Sequence, residues 1–242
     1  KIIDNRYHFI TMFNPDTGAY VRTGILNERG QDTGVDPFMA SFPHMIDVGI
    51  MGHCIHGKTG LCLKAGIGCY QSGLVIDQPN MSVEDFASIA KQCAGRVNQF
   101  ALGGRGDPDQ HEHFEQILKT CRDNNIVPNY TTSGYGLTRE LAQVSKRYCG
   151  AVAVSWYRNE YTLNAIQLLL EAGVKTNIHY VLGKNSIDEA IARLETDDIP
   201  AGINSLVFLL HKPVGLGNKE NVLSPADPRV ETLYKLIDRG KH

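Results

Sequence analysis

The sequence predicts an α/β protein, a parallel partial (β/α)6 barrel with an N-terminal β-hairpin appendage. From residue 45 onward, short apolar runs alternate with amphipathic helical stretches, which is the pattern of parallel strand–helix units. Polar and glycine-rich residues then follow each apolar run, as they do where the strands of a barrel end. An open, doubly wound sheet is the alternative, because periodicity alone does not establish closure.

The size, charge and cysteine usage of the chain restrict the classes of protein to consider. Its 242 residues can bury a full core, and its formal net charge of −2 argues against a large RNA or an acidic membrane surface as a partner. No apolar run is long enough to span a bilayer. Six cysteines in a chain of this size do not resemble a secreted disulfide scaffold, which favours reduced thiols and a cytoplasmic location.

Residues 1–44 are predicted to form an extension of the main domain. The runs HFITMF and AYVRTGI flank the turn-forming sequence NPDTG, which predicts a β-hairpin. The polar stretch 27–43 that follows predicts a loop. A substrate lid and a dimer contact are both open roles for this extension.

Residues 45–242 are predicted to form the (β/α)6 core with a C-terminal helix. The predicted strands are MIDVGIM, VNQFALGG, IVPNYTTSG, AVAVSWY, VKTNIHYVLG and INSLVFLLHKPVG. Ser82, Thr138 and Ser186 are the expected helix caps, Gly173 marks a helix end, and DPRVETLYKLIDRG is the last helix. We expect these strands to be apolar on both faces and covered by helices.

The stretch from Ile46 to Gly73 carries the strongest chemical signal. Its strand leads into a glycine-rich loop that contains Cys54, Cys62 and Cys69, a placement unlike that of a structural disulfide or a core thiol. Three thiolates on one loop can bind three irons of a 4Fe-4S cluster and leave the fourth iron open to an exchangeable ligand. The other three cysteines, at positions 93, 121 and 149, are expected to be small buried hydrophobic residues.

Polar and aromatic residues also follow the other five predicted strands. Because the carboxyl ends of parallel barrel strands face one site, we expect these residues to converge on a large polar ligand. In chain order they are Gly103–Pro108, Asn129–Ser133, Ser155–Arg158, then Asn177, His179, Tyr180 and Gly183, and finally His211–Pro213.

The cysteine loop ending in Cys69-Tyr70, the GGRGDP sequence on the second strand and the six strand–helix units resemble the radical S-adenosylmethionine (radical SAM) enzymes. The resemblance covers about residues 45 to 215, although the spacing C-x7-C-x6-C is expanded from the usual CxxxCxxC. It implies that the loop cysteines bind a 4Fe-4S cluster and that SAM binds the fourth iron. Reductive cleavage of SAM then gives methionine and a 5′-deoxyadenosyl radical that abstracts hydrogen from a substrate.

The resemblance also implies roles for individual residues. Cys54, Cys62 and Cys69 would be the metal ligands, and Tyr70 would be the aromatic residue beside the last of them. The remaining cofactor-binding positions are Gly103 and Gly104 at the SAM amino group, Asp107 as the nearby acid, Ser155 at the ribose or carboxylate, Leu182 with Gly183, Ser186 and Glu189 near the adenine, and Asn177, Leu209 and His211 on the last two strands. A small-molecule or peptide substrate, a flavodoxin-like or ferredoxin-like reductant and sensitivity to oxygen follow as expectations.

Two other functions compete with this interpretation. His53 or His56 as a fourth ligand beside the cysteines would make a zinc-stabilised barrel, acting as a binding module or a metal-dependent hydrolase. Alternatively, Lys212 would serve as the Schiff-base amine of a barrel aldolase or isomerase.

Overall fold

The structure, a computed structural model, describes residues 1–71 and 77–237. Its N-terminal extension is a three-stranded antiparallel sheet of β1 (Ile2–Asp4), β2 (Phe9–Phe13) and β3 (Tyr20–Arg22), in that order. Strands β2 and β3 are the predicted hairpin. Strand β1 was not predicted, because three residues are too few to show a period.

Six parallel strands form the main sheet, and they lie side by side in chain order. They are β4 (Met45–Met51), β5 (Gln99–Gly104), β6 (Val127–Thr132), β7 (Val152–Ser155), β8 (Thr176–Leu182) and β9 (Ser205–Leu210). This order has no reversal, so it excludes the doubly wound alternative and confirms the predicted partial barrel. Within the described residues β4 and β9 are unpaired edges, and the barrel is therefore open.

Six helices lie where the sequence predicted them, whereas two short helices, Ile55–Thr59 and Leu61–Lys64, lie within the cysteine loop, where no helix was predicted. In chain order, the helices of the described residues are α1 (Ile55–Thr59), α2 (Leu61–Lys64), α3 (Val83–Cys93), α4 (Phe114–Asp123), α5 (Arg139–Tyr148), α6 (Glu160–Glu171), α7 (Ile187–Thr196) and α8 (Pro228–Ile237). The predicted end of the last helix, residues 238–240, and Gly73 of the cysteine loop lie outside the described residues. No helix in the described part of the chain is long and apolar enough to cross a membrane.

Two of the three predicted helix caps are confirmed in their side-chain geometry. The hydroxyl oxygen of Ser82 accepts a hydrogen bond from the Asp85 amide, and that of Thr138 accepts one from the Leu141 amide. Ser186 also precedes its helix, but its hydroxyl donates to the Val181 carbonyl oxygen at 2.8 Å instead. The Ser186 side chain therefore fixes the turn after β8 and does not cap α7.

The two faces of the main sheet differ in polarity, and the prediction of two apolar faces was wrong. Residues such as Phe100, Val152 and Ile178 are buried under the helices. The residues that alternate with them are partly exposed on the inner face, and many are polar: Gln99, Asn129, Thr131, Ser155, Asn177 and His179. Because the barrel is open, solvent reaches this face and polar side chains carry no large desolvation penalty there.

The N-terminal extension contacts the end of the main sheet at which the parallel strands begin. Lys175, directly before β8, donates from Nζ to the Thr17 carbonyl oxygen at 2.7 Å. The Tyr20 hydroxyl contacts Nδ1 of His44, directly before β4, at 3.1 Å. The cysteine loop follows the opposite ends of the strands, so these contacts do not support a role as a substrate lid. A lid and a dimer contact both remain predictions.

Asp109, on the short 3-10 helix after β5, gives the fold a predicted dependence on pH. Burial, and then the neighbouring charge of Asp107, raise the pKa of this carboxyl from 3.8 to about 7. The protonated acid thus favours the folded state below pH 3.8, and this contribution is lost as the pH rises through about 7.

We therefore expect Asp109→Asn to be more stable than the parent protein at pH 8, because the variant buries no charge. The difference in unfolding free energy should shrink by roughly 2–4 kcal/mol between pH 8 and pH 4. Urea unfolding across this range measures it. Parallel pH profiles for the two proteins would contradict the assignment.

Candidate functional site

The three loop cysteines lie beyond the carboxyl end of β4. Cys54 immediately precedes α1, Cys62 lies in α2, and Cys69 follows α2. All three are free and partly exposed. The pKa of Cys62 is raised to about 11, chiefly by burial and to a smaller extent by the charges of Cys54, Asp107 and Cys69. The other two loop cysteines therefore lie close enough to Cys62 for their charges to affect it.

The chemistry of these donors fits a metal centre with thiolate ligands. A thiol whose pKa is raised in this way ionises at neutral pH only beside a strong positive charge such as a metal. Among the residues described, no three His, Cys, Asp or Glu side chains converge on one ion position. Cysteine thiolates are ligands both of structural zinc and of 4Fe-4S clusters, so both interpretations remain predictions.

His56, one proposed zinc ligand, belongs to a buried polar network instead. Its Nε2 lies 2.9 Å from Oδ2 of Asp107 and 2.8 Å from Oγ of Ser133. Asp107 also accepts hydrogen bonds from the Ser133 amide at 3.0 Å and from the Ser133 hydroxyl at 2.5 Å. The network joins α1, the residue directly after β6 and the loop after β5, so it fixes the helix that begins at Cys54.

This network changes the interpretation of Asp107. The resemblance implies an acid that binds cofactor, which remains a prediction; in the structure both carboxylate oxygens of Asp107 accept hydrogen bonds from protein groups. Through His56, Asp107 therefore also holds α1, the helix directly after Cys54, in place. Sequence reasoning missed its partners His56 and Ser133, because 51 and 26 residues separate them from Asp107 and no local pattern connects them.

The same three residues do not form a nucleophilic triad. In such a triad the serine and the carboxylate bind different nitrogens of the histidine. Here both contact Nε2 of His56, and its Nδ1 is buried with no hydrogen-bond partner among the described residues. Ser133 is therefore held in place and not activated for attack.

Glycines at and just after the end of β5 allow this strand to pack directly against the residues that lead into the cysteine loop. Gly104 has φ +124°, and a Cβ there would lie 2.5 Å from the Met51 carbonyl oxygen. A Cβ on Gly106 would lie 2.5 Å from the His53 carbonyl oxygen. Gly103 differs, because no atom of the described residues lies within 4 Å of its ideal Cβ position. The described part of the chain thus leaves open space beside the Gly103 backbone.

This contrast predicts that two adjacent substitutions differ greatly in their effect on the unfolding free energy. Gly104→Ala should lower the unfolding free energy by roughly 2–4 kcal/mol, because the new Cβ clashes with backbone at a strained φ. Gly103→Ala should change it by less than about 1 kcal/mol. Urea unfolding of the two variants measures the difference, and equal losses would contradict the packing described here.

Four other predicted residues lie at the same end of the sheet. Ser155 ends β7, and Leu182 ends β8 and is buried. His211 follows β9, and its Nε2 lies 2.9 Å from the Asn218 carbonyl oxygen. Tyr70 is exposed, and its ring centroid lies 5.3 Å from Nζ of Lys212. These residues surround the end of the sheet at which the cysteines lie.

Asn177 lies at the other end of the sheet, so its assignment to the cofactor site was wrong. It is the second residue of β8, and its Oδ1 accepts hydrogen bonds from the side chains of Asn204 and Ser205, both at 2.8 Å. The prediction assigned Asn177 to the strand end without counting its position along the strand. Asn177 lies five positions before Leu182, and at about 3.3 Å per residue the two are roughly 16 Å apart along the strand.

The surroundings of Glu189 and Lys212 bear on the roles predicted for these two residues. Glu189, expected near the adenine, forms ion pairs with Arg158 and with Arg193, the latter at 2.8 Å. Lys212 is exposed, whereas lysines that form Schiff bases are commonly desolvated or lie beside another cation. The aldolase or isomerase alternative therefore has no support from this geometry.

Solved structures share this arrangement of strands and helices. SuiB of Streptococcus suis bound to S-adenosylmethionine matches with a TM-score of 0.62 and 15% identity over 84% of this chain and 50% of that chain. anSMEcpe with bound AdoMet matches with a TM-score of 0.59 and 18% identity over 81% of this chain and 59% of that chain. At these identities the likeness is one of fold.

The chain therefore has the fold of the radical SAM enzymes, and the predicted partial barrel is confirmed. It spans about half to three-fifths of the length of the two solved proteins. No protein-family model and no curated protein matches the sequence.

Proposed function

We propose that this chain is a radical SAM enzyme that binds a 4Fe-4S cluster through Cys54, Cys62 and Cys69 and uses SAM as co-substrate. The observation that supports this most is the set of three free, partly exposed cysteines on one segment beyond the first strand of a partial barrel. When bound, the cluster supplies the electron that cleaves SAM to methionine and a 5′-deoxyadenosyl radical, which abstracts hydrogen from substrate.

The protein's part in this reaction is to bind and orient SAM. The open space beside Gly103 lets the amino and carboxylate groups of SAM approach the backbone. Ser155 is suited to hydrogen-bond the ribose or carboxylate, and His211, directly after β9, is proposed to lie beside the adenine. The buried Leu182 is on the helix-covered face of β8, so it would support the adenine site from behind. Orienting the SAM carbon–sulfur bond and excluding water directs the reaction to one substrate hydrogen.

The substrate is proposed to be a peptide, with a small molecule as the alternative. SuiB has been solved bound to the precursor peptide SuiA, and anSMEcpe with a bound Cp18Cys peptide. In this chain the inner face of the sheet carries partly exposed hydrogen-bonding side chains, including Thr131 and His179, which can pair with peptide groups. A flavodoxin-like or ferredoxin-like protein in the cytoplasm would supply the electron, and the partly exposed cysteines make the cluster sensitive to oxygen.

The test is reductive cleavage of SAM by the anaerobically reconstituted protein. With dithionite present, we expect 5′-deoxyadenosine and methionine in equal amounts, and neither product from Cys62→Ala. Substrate peptides would increase the rate of 5′-deoxyadenosine formation. A cluster-loaded protein that leaves SAM intact would contradict the proposal.

A further inference from the structure

Tyr157 contacts one of the three cysteines from a distant part of the chain. It lies in the loop after β7, two residues beyond Ser155, and its hydroxyl oxygen is 3.5 Å from Sγ of Cys62. The two residues are 95 positions apart in sequence, so the fold of the barrel creates this contact. Tyr157 was noted in the sequence only as one of several polar or aromatic residues after a strand.

The chemistry of the two groups fixes the direction of this hydrogen bond in the cluster-bound state. A metal-bound cysteine is a thiolate, whose sulfur accepts hydrogen bonds and has no proton to donate. A phenol keeps its proton at neutral pH, because its ordinary pKa is about 10. Tyr157 is therefore the donor and Cys62 the acceptor.

A donor at this position changes the energy of cluster reduction. Hydrogen bonds to the sulfurs are among the features that set the potential of an iron–sulfur cluster. Reduction adds one negative charge to the cluster, and a hydrogen-bond donor at the thiolate stabilises that charge. The contact therefore favours the reduced form and raises the reduction potential.

We propose that Tyr157 is a positioning residue that donates a hydrogen bond to the Cys62 thiolate and raises the reduction potential of the cluster. This inference rests on the proposed function, since it requires that Cys62 bind the cluster. Its consequence is that a one-electron donor of the flavodoxin or ferredoxin class reduces the cluster more completely than it would without this contact.

The test is a potentiometric titration of Tyr157→Phe, loaded anaerobically with iron and sulfide and followed by EPR of the reduced cluster. At a fixed potential near the midpoint, the ratio of reduced to oxidised cluster should fall about tenfold, which for a one-electron couple is a shift of about 59 mV to more negative potential. Iron and sulfide content should stay at the level of the parent protein.

Tyr161→Phe is the matched control. Among the described residues the buried Tyr161 hydroxyl makes no hydrogen bond to a cysteine, and its ring packs edge-on against Tyr135. Its removal should leave the potential unchanged. If Tyr157→Phe fails to retain the cluster, 3-fluorotyrosine at position 157 replaces it in the test, because this stronger donor of nearly equal size should shift the potential upward.

The outcomes separate this inference from the function on which it rests. Equal potentials in the parent protein and in Tyr157→Phe, both loaded with cluster, would overturn the role of Tyr157 alone. An unchanged potential with 3-fluorotyrosine would do the same. A parent protein that binds no 4Fe-4S cluster would instead overturn the proposed function.

Discussion

Cys62→Ala is expected to lose at least nine-tenths of the iron and sulfide that the parent protein takes up on anaerobic reconstitution. The same loss is expected for Cys54→Ala and Cys69→Ala, because each thiolate binds one iron and two protein ligands do not hold the cluster. Iron and sulfide analysis of the desalted proteins measures the effect.

Cys93→Ala provides the matched control for this prediction. Cys93 is a free cysteine in α3 that packs in the core, 5% exposed, away from the strand ends. Its substitution should cost about 1 kcal/mol of stability and leave the iron content unchanged. Normal iron in Cys62→Ala, or an equal loss in Cys93→Ala, would contradict the assignment of the ligands.

Asp107→Ala is expected to have the second largest effect, and it should appear even in cluster-free protein. The substitution leaves His56 and Ser133 buried without their carboxylate acceptor, which should lower the unfolding free energy by roughly 2–4 kcal/mol. Urea unfolding of the cluster-free protein at neutral pH measures this. Because the network also fixes α1, the reconstituted variant should release iron to a chelator faster than the parent protein.

Asp47→Ala is the corresponding control. Asp47 is an exposed carboxylate in β4, on the same sheet but outside the network. Its removal should change the unfolding free energy by no more than about 0.5 kcal/mol. Equal stability losses in the two variants would mean that the hydrogen bonds of Asp107 do not hold α1 in place.

Much of the fold was predictable because its signals are local. The alternation of apolar runs with helical stretches, and the caps at Ser82 and Thr138, depend on residues within a few positions of one another. The short strand β1 gave no comparable signal. The polar inner face, in contrast, has a local signal in the sequence. In VKTNIHYVLG the buried Thr176, Ile178, Tyr180 and Leu182 alternate strictly with less buried residues.

The candidate site was predictable only in part. The cysteine loop and the glycines after β5 are contiguous in sequence, so their residue types reveal them. The contacts of His56 with Asp107 and of Cys62 with Tyr157 join residues 51 and 95 positions apart, and one sequence carries no pattern for such pairs. Asn177 was misassigned because residue type was considered without its position along the strand.

The most direct test of the proposed function is the EPR spectrum of the reduced, reconstituted protein recorded with and without SAM. We expect the signal of a reduced 4Fe-4S cluster held by Cys54, Cys62 and Cys69, and a change in that signal when SAM is added. A cluster whose signal ignores SAM, or a protein that takes up tight stoichiometric zinc and no sulfide, would contradict the assignment of this chain as a radical SAM enzyme.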